Sequence, residues 1–302
     1  MESTVDPPDP CTLKAERREA ERTDGEELPL LRLGTVTSTQ DEATLRLREG
    51  RPLPFVLTAR RQTSGRGRLG RAFASPAGAS LSFTYAHRTG LDPADRGWIP
   101  LAAGLATVST LSQELGLRAG DQIGLKWPND LHTHEGRKLG GILVEGRGVD
   151  VVLVGIGLNL RGPVRQPDGS VVPGAAWLRG DGGLLPEAVR GLPDERLRER
   201  LESAGGDGVS AGTHDRYTMT CLTLGRRVRV DPLGEQSDGG AHPRSWSGVS
   251  RAIDGHGRLV VDLAGGGQAA VDVGDVRHLR PEAPAHATAD EVEDIEQEEH
   301  VT

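Results

Sequence analysis

Ten residues, Gln62-Thr63-Ser64-Gly65-Arg66-Gly67-Arg68-Leu69-Gly70-Arg71, pack three glycines and three arginines together. Glycines let backbone N–H groups close onto an anion, and arginines offer bidentate hydrogen bonds to phosphate or carboxylate. The chain has only three lysines, Lys14, Lys126 and Lys138. Arginine is the default cation here, so a lysine kept among glycines, as in Gly136-Arg137-Lys138-Leu139-Gly140-Gly141, points to a need for a compact ammonium. Lys126 opens Lys126-Trp127-Pro128-Asn129-Asp130, where Pro128 fixes a turn from which Asn129 and Asp130 can face a site; Asp130 could instead cap a hairpin. Asn159 follows an apolar strand in Gly155-Ile156-Gly157-Leu158-Asn159. A buried amide requires partners, and an adenine edge could supply them. These segments together are a parts list for holding phosphates. His132 and His134 stand one residue apart with no third ligand at metal spacing, so they read as hairpin surface, and no metal ligand is assigned.

Gly65 to Gly70 is literally G-x-G-x-x-G, which raises a nicotinamide-dependent oxidoreductase as an alternative. That fingerprint needs a helix opening on its last glycine. Pro76 and Gly78 stand where the helix should run, and Asp92 sits in a Gly-Leu-Asp-Pro turn instead of at a strand end. Read physically, the segment is a basic loop that ligand orders.

The elements that must position these residues follow from the pattern. Leu30–Val36 reads as a strand, and Thr39-Gln40-Asp41-Glu42 has capping-box spacing ahead of a helix over Gln40–Glu49. Strands are expected over Pro54–Ala59 and over Ser80–Ala86, where Leu81, Phe83 and Tyr85 share a face. A helix follows over Ile99–Leu117, stopped by Gly116 and Gly120, then strands over Gln122–Trp127, Lys138–Glu145 and Val149–Leu160. Residues 161–183 read as Gly/Pro-rich loop and Leu184–Ala204 as helix. From Met219 the style changes to short strands, at Arg227–Val230, Ser245–Ile253, Arg258–Leu263 and Ala269–Val273, with a turn at Asp254–Gly257. This is an α+β fold around a mixed sheet, followed by a small SH3-like β-barrel.

The net charge of −8 is wholly accounted for by eight carboxylates in residues 281–302, a stretch without Lys or Arg. The remaining body is neutral and has no basic stripe, which argues against nucleic acid as partner. Residues 1–28 read as a disordered leader and the acidic end as a disordered, solubilising tail. Cys11 and Cys221 form no disulfide framework or zinc pattern, no apolar run is long enough to span a membrane, and a cytoplasmic protein is expected.

Thr37-Ser38-Thr39-Gln40, the Gln62–Arg68 loop, Lys126–Asp130, Arg137–Glu145 and Gly155–Asn159 resemble, in order and spacing, the biotin–protein ligases. The resemblance extends from about residue 30 to 281. Gln40 stands where that family usually has Asn, Ser64 where Ala is common, Leu69 where Arg is common and Phe73 where Trp is usual. The resemblance implies a class II aminoacyl-tRNA-synthetase-like catalytic domain over 29–216 and the SH3-like barrel over 217–281, between the leader and a tail at 282–302. It implies ATP-dependent attachment of biotin, through biotinyl-5′-AMP and with Mg²⁺ accompanying ATP, to a lysine of a biotin carboxyl carrier domain of a biotin-dependent carboxylase. Lipoate–protein ligase, of the same superfamily, is the nearest alternative; a non-catalytic biotin sensor would need a DNA-binding element, and neither end shows a helix-turn-helix pattern. Oligomeric state, including a homodimer, is left open.

By position, Lys138, Arg66 and Arg68 would be catalytic. Ser38, Thr39, Gln40 and Gln62 would hold biotin, together with Gly65, Gly67, Gly140, Gly141 and the three catalytic cations. Lys126, Asn129, Asp130 and Asn159 would line the nucleotide, joined by Arg280 from the barrel, with Arg277 as its rival.

Overall fold

The computed structural model describes residues 29–73, 77–166, 168–185, 197, 212–232, 245–272 and 274–279. The expected leader, most of the helix expected over Leu184–Ala204, Arg280 and the acidic tail lie outside them. Among the described residues the order is β1 (Leu30–Val36), α1 (Thr39–Arg48), β2 (Phe55–Gln62), β3 (Ser80–Arg88), α2 (Trp98–Leu115), β4 (Ile123–Lys126), β5 (Asp130–Thr133), β6 (Lys138–Arg147) and β7 (Val151–Asn159). Then come α3 (Thr213–Thr220), β8 (Arg227–Pro232), β9 (Trp246–Ile253), β10 (Leu259–Leu263), β11 (Gln268–Val271) and β12 (Gly274–His278).

These strands form a seven-stranded sheet, β1-β2-β3-β7-β6-β5-β4, and a five-stranded sheet, β11-β10-β9-β8-β12. β1 and β2 are parallel and joined through α1, and the remaining ladders of the larger sheet are antiparallel, so it is mixed. The second sheet is antiparallel throughout. Three elements escape the sequence pattern: β5 has four residues, α3 has eight and β12 has five, each too short to show a period. The α1 cap also lies one residue earlier than expected. Ser38 is extended (φ −156°) and its Oγ accepts from the Gln40 N–H at 3.2 Å, while Thr39 is already helical.

Side chains alternate across a strand, and residues paired in a ladder share a face. On one face of the large sheet Leu81, Phe83, Tyr85, Ile142, Val154 and Ile156 pack under the buried Ile99, Leu101, Leu105, Val108 and Leu111 of α2. α2 ends at Gly116, which takes the left-handed conformation (φ 70°) that closes the helix. On the other face Phe55, Leu57, Ala86 and Leu153 close with Ala43 of α1. Farther along that face the side chains shrink: Thr84, Ser82 and Ser80 of β3 pair with Gly155, Gly157 and Asn159 of β7. Gly141 of β6 pairs with Gly157 in the same row.

The two sheets meet at the β9–β10 turn. The Trp98 indole N–H donates to Gly255 O at 2.8 Å and the Trp127 indole N–H to Gly257 O at 3.0 Å. A Cβ on Gly97 would lie 2.7 Å from His256 O, so backbone meets backbone there. Tyr217 of α3 packs edge-on against Trp98, with ring centroids 6.2 Å apart. Trp98→Phe removes one donor to a carbonyl at this junction and should lower stability by about 1–2 kcal/mol, read as a shifted denaturant midpoint with unchanged slope. An unchanged midpoint would mean that the turn does not tie the sheets.

Candidate functional site

The small-residue half of the large sheet forms a floor with polar groups converging on it. Where α1 begins against the end of β2, Thr84 Oγ1 donates to Thr39 Oγ1 at 2.8 Å. Thr39 N–H and Oγ1–H both donate to Gln62 Oε1, at 2.8 and 3.1 Å. Ser38, Thr39 and Gln40 are all buried. Gln40 Nε2 reaches across the floor to Leu143 O at 2.8 Å, and its Oε1 is buried without a hydrogen-bond partner. A Cβ on Gly155 would lie 2.5 Å from Gln40 Nε2, and one on Gly157 would lie 2.7 Å from the Phe73 ring. The glycines are what allow an amide and an aromatic ring to lie flat on the strands.

The Gly/Arg loop carries its own framework. Gly67 N–H donates to Arg71 O at 2.7 Å and Phe73 N–H to Gly65 O at 2.8 Å, with an antiparallel bridge between Arg66 and Ala72. The backbone thus has internal bonds besides any that a ligand adds. The three residues after Gly67, Arg68–Gly70, make a single 3₁₀ turn, so the helix of a dinucleotide fingerprint is not formed. Leu69 sits at φ 59°, a left-handed position that a non-glycine residue enters at a cost. Gly65 is required sterically: a Cβ there would lie 2.6 Å from Phe73 O and 2.8 Å from Gln62 Nε2.

Three of the sequence-predicted cations rest on protein acceptors. Arg66 Nη1 pairs with Asp41 Oδ1 at 2.7 Å, and its Nη2 lies 3.6 Å from Glu145. Arg68 Nη1 donates to Asn129 Oδ1 at 2.9 Å. Lys138 Nζ donates to Asp130 Oδ1 at 2.6 Å. Strict alternation from Gly141 would send Lys138 to the α2 side of the sheet. A bulge opposite Leu131/His132 leaves Leu139 as an extra residue and turns Lys138 onto the floor, where its Nζ lies 3.5 Å from the Cβ position of Gly141. Its backbone is pinned on both sides, N–H to Gly174 O and O from Ala176 N–H, each at 2.7 Å. Burial acts to raise the Asp130 pKa, but His132 and the Lys138 ammonium outweigh it and pull the carboxyl down to about 2.

Asn129 Nδ2 donates to Ile142 O at 2.8 Å, which docks the Lys126–Asp130 turn onto β6. Asn159 Nδ2 donates to Ala176 O at 2.9 Å, tying β7 to the segment that holds Lys138. Gly140 pairs with Leu158, and Lys126 pairs with Asp130 at the sheet edge. Arg277, the rival of Arg280, has its Nε 3.4 Å from Asp231. His132 corrects the hairpin-surface expectation: its side chain is 13 % exposed, 3.8 Å from Asp130 on the floor side, whereas His134 is exposed as expected. Ser82, Thr84, Gly155, Gly157, Asp41 and Glu145 were not singled out as site residues. The signal for the first four was present, as small residues alternating with Leu81, Phe83, Ile156 and Leu158. Among the described residues no group of three or more His, Cys, Asp or Glu could hold a metal, and no helix is long and apolar enough to cross a membrane.

Residues 33–160 match the model of the biotin/lipoate A/B protein ligase family. The chain is 38 % identical over 228 residues to the biotin–[acetyl-CoA-carboxylase] ligase of Mycobacterium tuberculosis, covering 74 % of this chain and 79 % of that one. It is 41 % identical over 238 residues to the enzyme of the same name from Paracoccus denitrificans, covering 76 % and 92 %. Its fold is similar to that of a biotin protein ligase from Aquifex aeolicus solved with biotin and ATP, with a TM-score of 0.60 at 22 % identity over 83 % of this chain and 99 % of that chain.

The ion pair at Lys138 makes a stability prediction. The folded pKa of Asp130 lies below its ordinary 3.8, so its contribution is fully present above that value and is lost as pH falls through about 2. A shift of this size corresponds to about 2 kcal/mol. Asp130→Asn should remove that much acid sensitivity from the stability curve below pH ~4. Superimposable acid limbs for parent and variant would show that the pair is not formed in solution.

Proposed function

The chain belongs to the biotin/lipoate A/B protein ligase family, and we infer that it acts as a biotin–[acetyl-CoA-carboxylase] ligase. The observation that carries the mechanism is Lys138 turned by the bulge onto the same floor as Gly155 and Gly157, between the Ser38–Thr39–Gln62 cluster and the Lys126–Asp130 turn. In the first half-reaction a biotin carboxylate oxygen attacks the α-phosphorus of ATP. The bond to the β-phosphate bridging oxygen breaks, and pyrophosphate leaves with the electron pair. The carboxylate is already ionised at neutral pH, so no activating base is required. What must be supplied is neutralisation of an anion approaching a polyanion. Lys138 takes that role at the carboxylate and α-phosphate, and Arg66 and Arg68 grip phosphate.

Ser38, Thr39, Gln40 and Gln62 hold the ureido end of biotin above the glycine floor, with Gly65, Gly67, Gly140 and Gly141 letting the backbone approach. Lys126, Asn129, Asp130 and Asn159 line the nucleotide side, and Arg280 joins them at phosphate. Mg²⁺ arrives with ATP as part of the substrate and has no assigned protein ligand. In the second half-reaction a carrier lysine amine attacks the acyl carbon, the bond to AMP breaks, and the amine releases a proton. The partner is thus a biotin carboxyl carrier domain, and neither nucleic acid nor membrane, with the reaction in the cytoplasm. We take residues 29–216 as a class II aminoacyl-tRNA-synthetase-like catalytic domain and 217–281 as an SH3-like barrel.

Loss of one transition-state contact costs about 10²–10³ in rate. Lys138→Gln should therefore cut biotinyl-AMP formation by that factor with the fold intact, as read by mass spectrometry after incubation with ATP, Mg²⁺ and biotin. Normal adenylation by the folded variant would sink the assignment, and a lipoyl adduct formed in preference to a biotinyl one would favour lipoate. Arg68→Gly separates making the adenylate from keeping it, because Arg68 bridges the loop to Asn129. Each 1.4 kcal/mol of lost contact loosens the adenylate about tenfold. The variant should release reactive adenylate and biotinylate added albumin, whereas the parent labels only its carrier. Equal, negligible albumin labelling by both, with adenylate formed by both, would remove Arg68 from that role.

A further inference from the structure

Asp130 and His132 of β5 and Lys138 of β6 stand on one face because of how the two strands pair. Asp130 and His132 are two residues apart, and the register sets His132 opposite Lys138. Directly opposed side chains have Cβ atoms about 5 Å apart, and two basic groups there repel unless an anion lies between them. Asp130 is that anion. Its Oδ1 takes the Lys138 ammonium at 2.6 Å, and its Oδ2 lies 3.8 Å from His132 Nε2. The imidazole is held from behind, since its Nδ1 is 3.0 Å from Gly136 O. A carbonyl oxygen can only accept, so Nδ1 carries the hydrogen and Nε2 is the atom turned to the carboxylate. Gly136 N–H is itself bonded to Thr133 O at 2.9 Å, so the ring is braced by the hairpin turn. A separation of 3.8 Å is too long for a hydrogen bond, and Nε2 is buried with no hydrogen-bond partner. Its interaction with Asp130 is therefore electrostatic. Lys126, opposite Asp130 on β4, and His278 of β12 are the other basic groups about the pair. Glu135 and Arg137 of the turn pair with each other at 3.0 Å.

Lys138 must stay on the floor and still give its ammonium to a substrate anion, which requires an acceptor that holds it without turning away. A carboxylate with only one oxygen engaged can rotate about its last bond, whereas one with a basic group at each oxygen is held. We propose that His132 is a positioning residue for adenylation: it faces the second oxygen of Asp130 and so fixes the carboxylate that places the Lys138 ammonium. The inference rests on the ligase reading for the identity of the reaction. Burial of Asp130 works against its charge, and His132 and Lys138 together outweigh that burial, as expected for a carboxylate gripped from both sides. His132 acts through Asp130 alone.

The test compares the full chain with His132→Phe, which keeps the bulk of a ring without its nitrogens, and His132→Gln, which keeps an N–H that can face Asp130. The first readout needs no substrate. The Asp130 carboxyl carbon, followed by NMR, should titrate nearer its ordinary 3.8 in His132→Phe than in the parent. The second readout is biotinyl-AMP formation from biotin and ATP with Mg²⁺. The kcat of His132→Phe should fall roughly three- to tenfold, as for coupled neighbours in one network, with the KM for biotin within about twofold. His132→Gln should recover most of that loss. In an Asp130→Asn background the same His132→Phe change should cost nothing further, because the group it acts through is gone. A merely structural role would cost the same in both backgrounds, and that result, with the variants shown folded by circular dichroism, would overturn the proposal. So would an Asp130 titration that His132→Phe leaves unmoved. A shifted titration in a chain that forms no biotinyl-AMP would reject the ligase reading, and this role with it, while leaving the contact between His132 and Asp130 in place.

Discussion

The site depends on one steric constraint: β6 and β7 must present a face with almost nothing standing on it. Gly141, Gly155 and Gly157 supply that face, and the contacts made over Gly155 and Gly157 leave no room for even a methyl group. Glycine in a strand interior weakens the strand, by roughly 0.5–1 kcal/mol relative to Ala. The opposite face compensates, since Val154, Ile156 and Leu158 of the same strand are buried under α2. β7 is thus a strand with its stability on one side and its function on the other.

Electrostatics follow from that floor. Each of Arg66, Arg68 and Lys138 is matched to a side-chain acceptor, respectively Asp41, Asn129 and Asp130. Such partners hold the cations near the positions that phosphate oxygens would need, and limit the repulsion of like charges gathered at one place. On the proposed reading, ligand binding is an exchange of acceptors, with side-chain oxygens giving way to phosphate oxygens of greater charge. The exposed Arg66 pair is a weak tether. The tighter Lys138–Asp130 pair is the one that fixes geometry.

The second sheet contributes through the backbone. Trp127 gives its indole N–H to Gly257 and its main-chain N–H to Thr223, so the turn bearing Asn129 and Asp130 is tied both to the β9–β10 turn and to the segment leading into β8. Trp98 makes the matching bond at the start of α2. A change in the β9–β10 turn is therefore transmitted to the turn bearing Asn129 and Asp130 through these backbone bonds.

Much of this was legible in the sequence because it is local. The two-residue period of β3 and β7, the helical run closed by Gly116, and the basic glycine loop each arise from short-range sterics and burial. The resemblance carried by Gln62–Arg68 and Lys126–Asp130 pointed to the family. What the sequence could not reveal is nonlocal. Lys138 reaches the floor only because an extra residue, Leu139, breaks the alternation opposite Leu131 and His132, and that mismatch exists only once β5 and β6 are paired. His132 looked like hairpin surface because part of what surrounds it, His278 of β12, comes from far away in sequence. The residue types fixed the available chemistry; chain pairing, which depends on partners far away in sequence, decided which of those residues share a face.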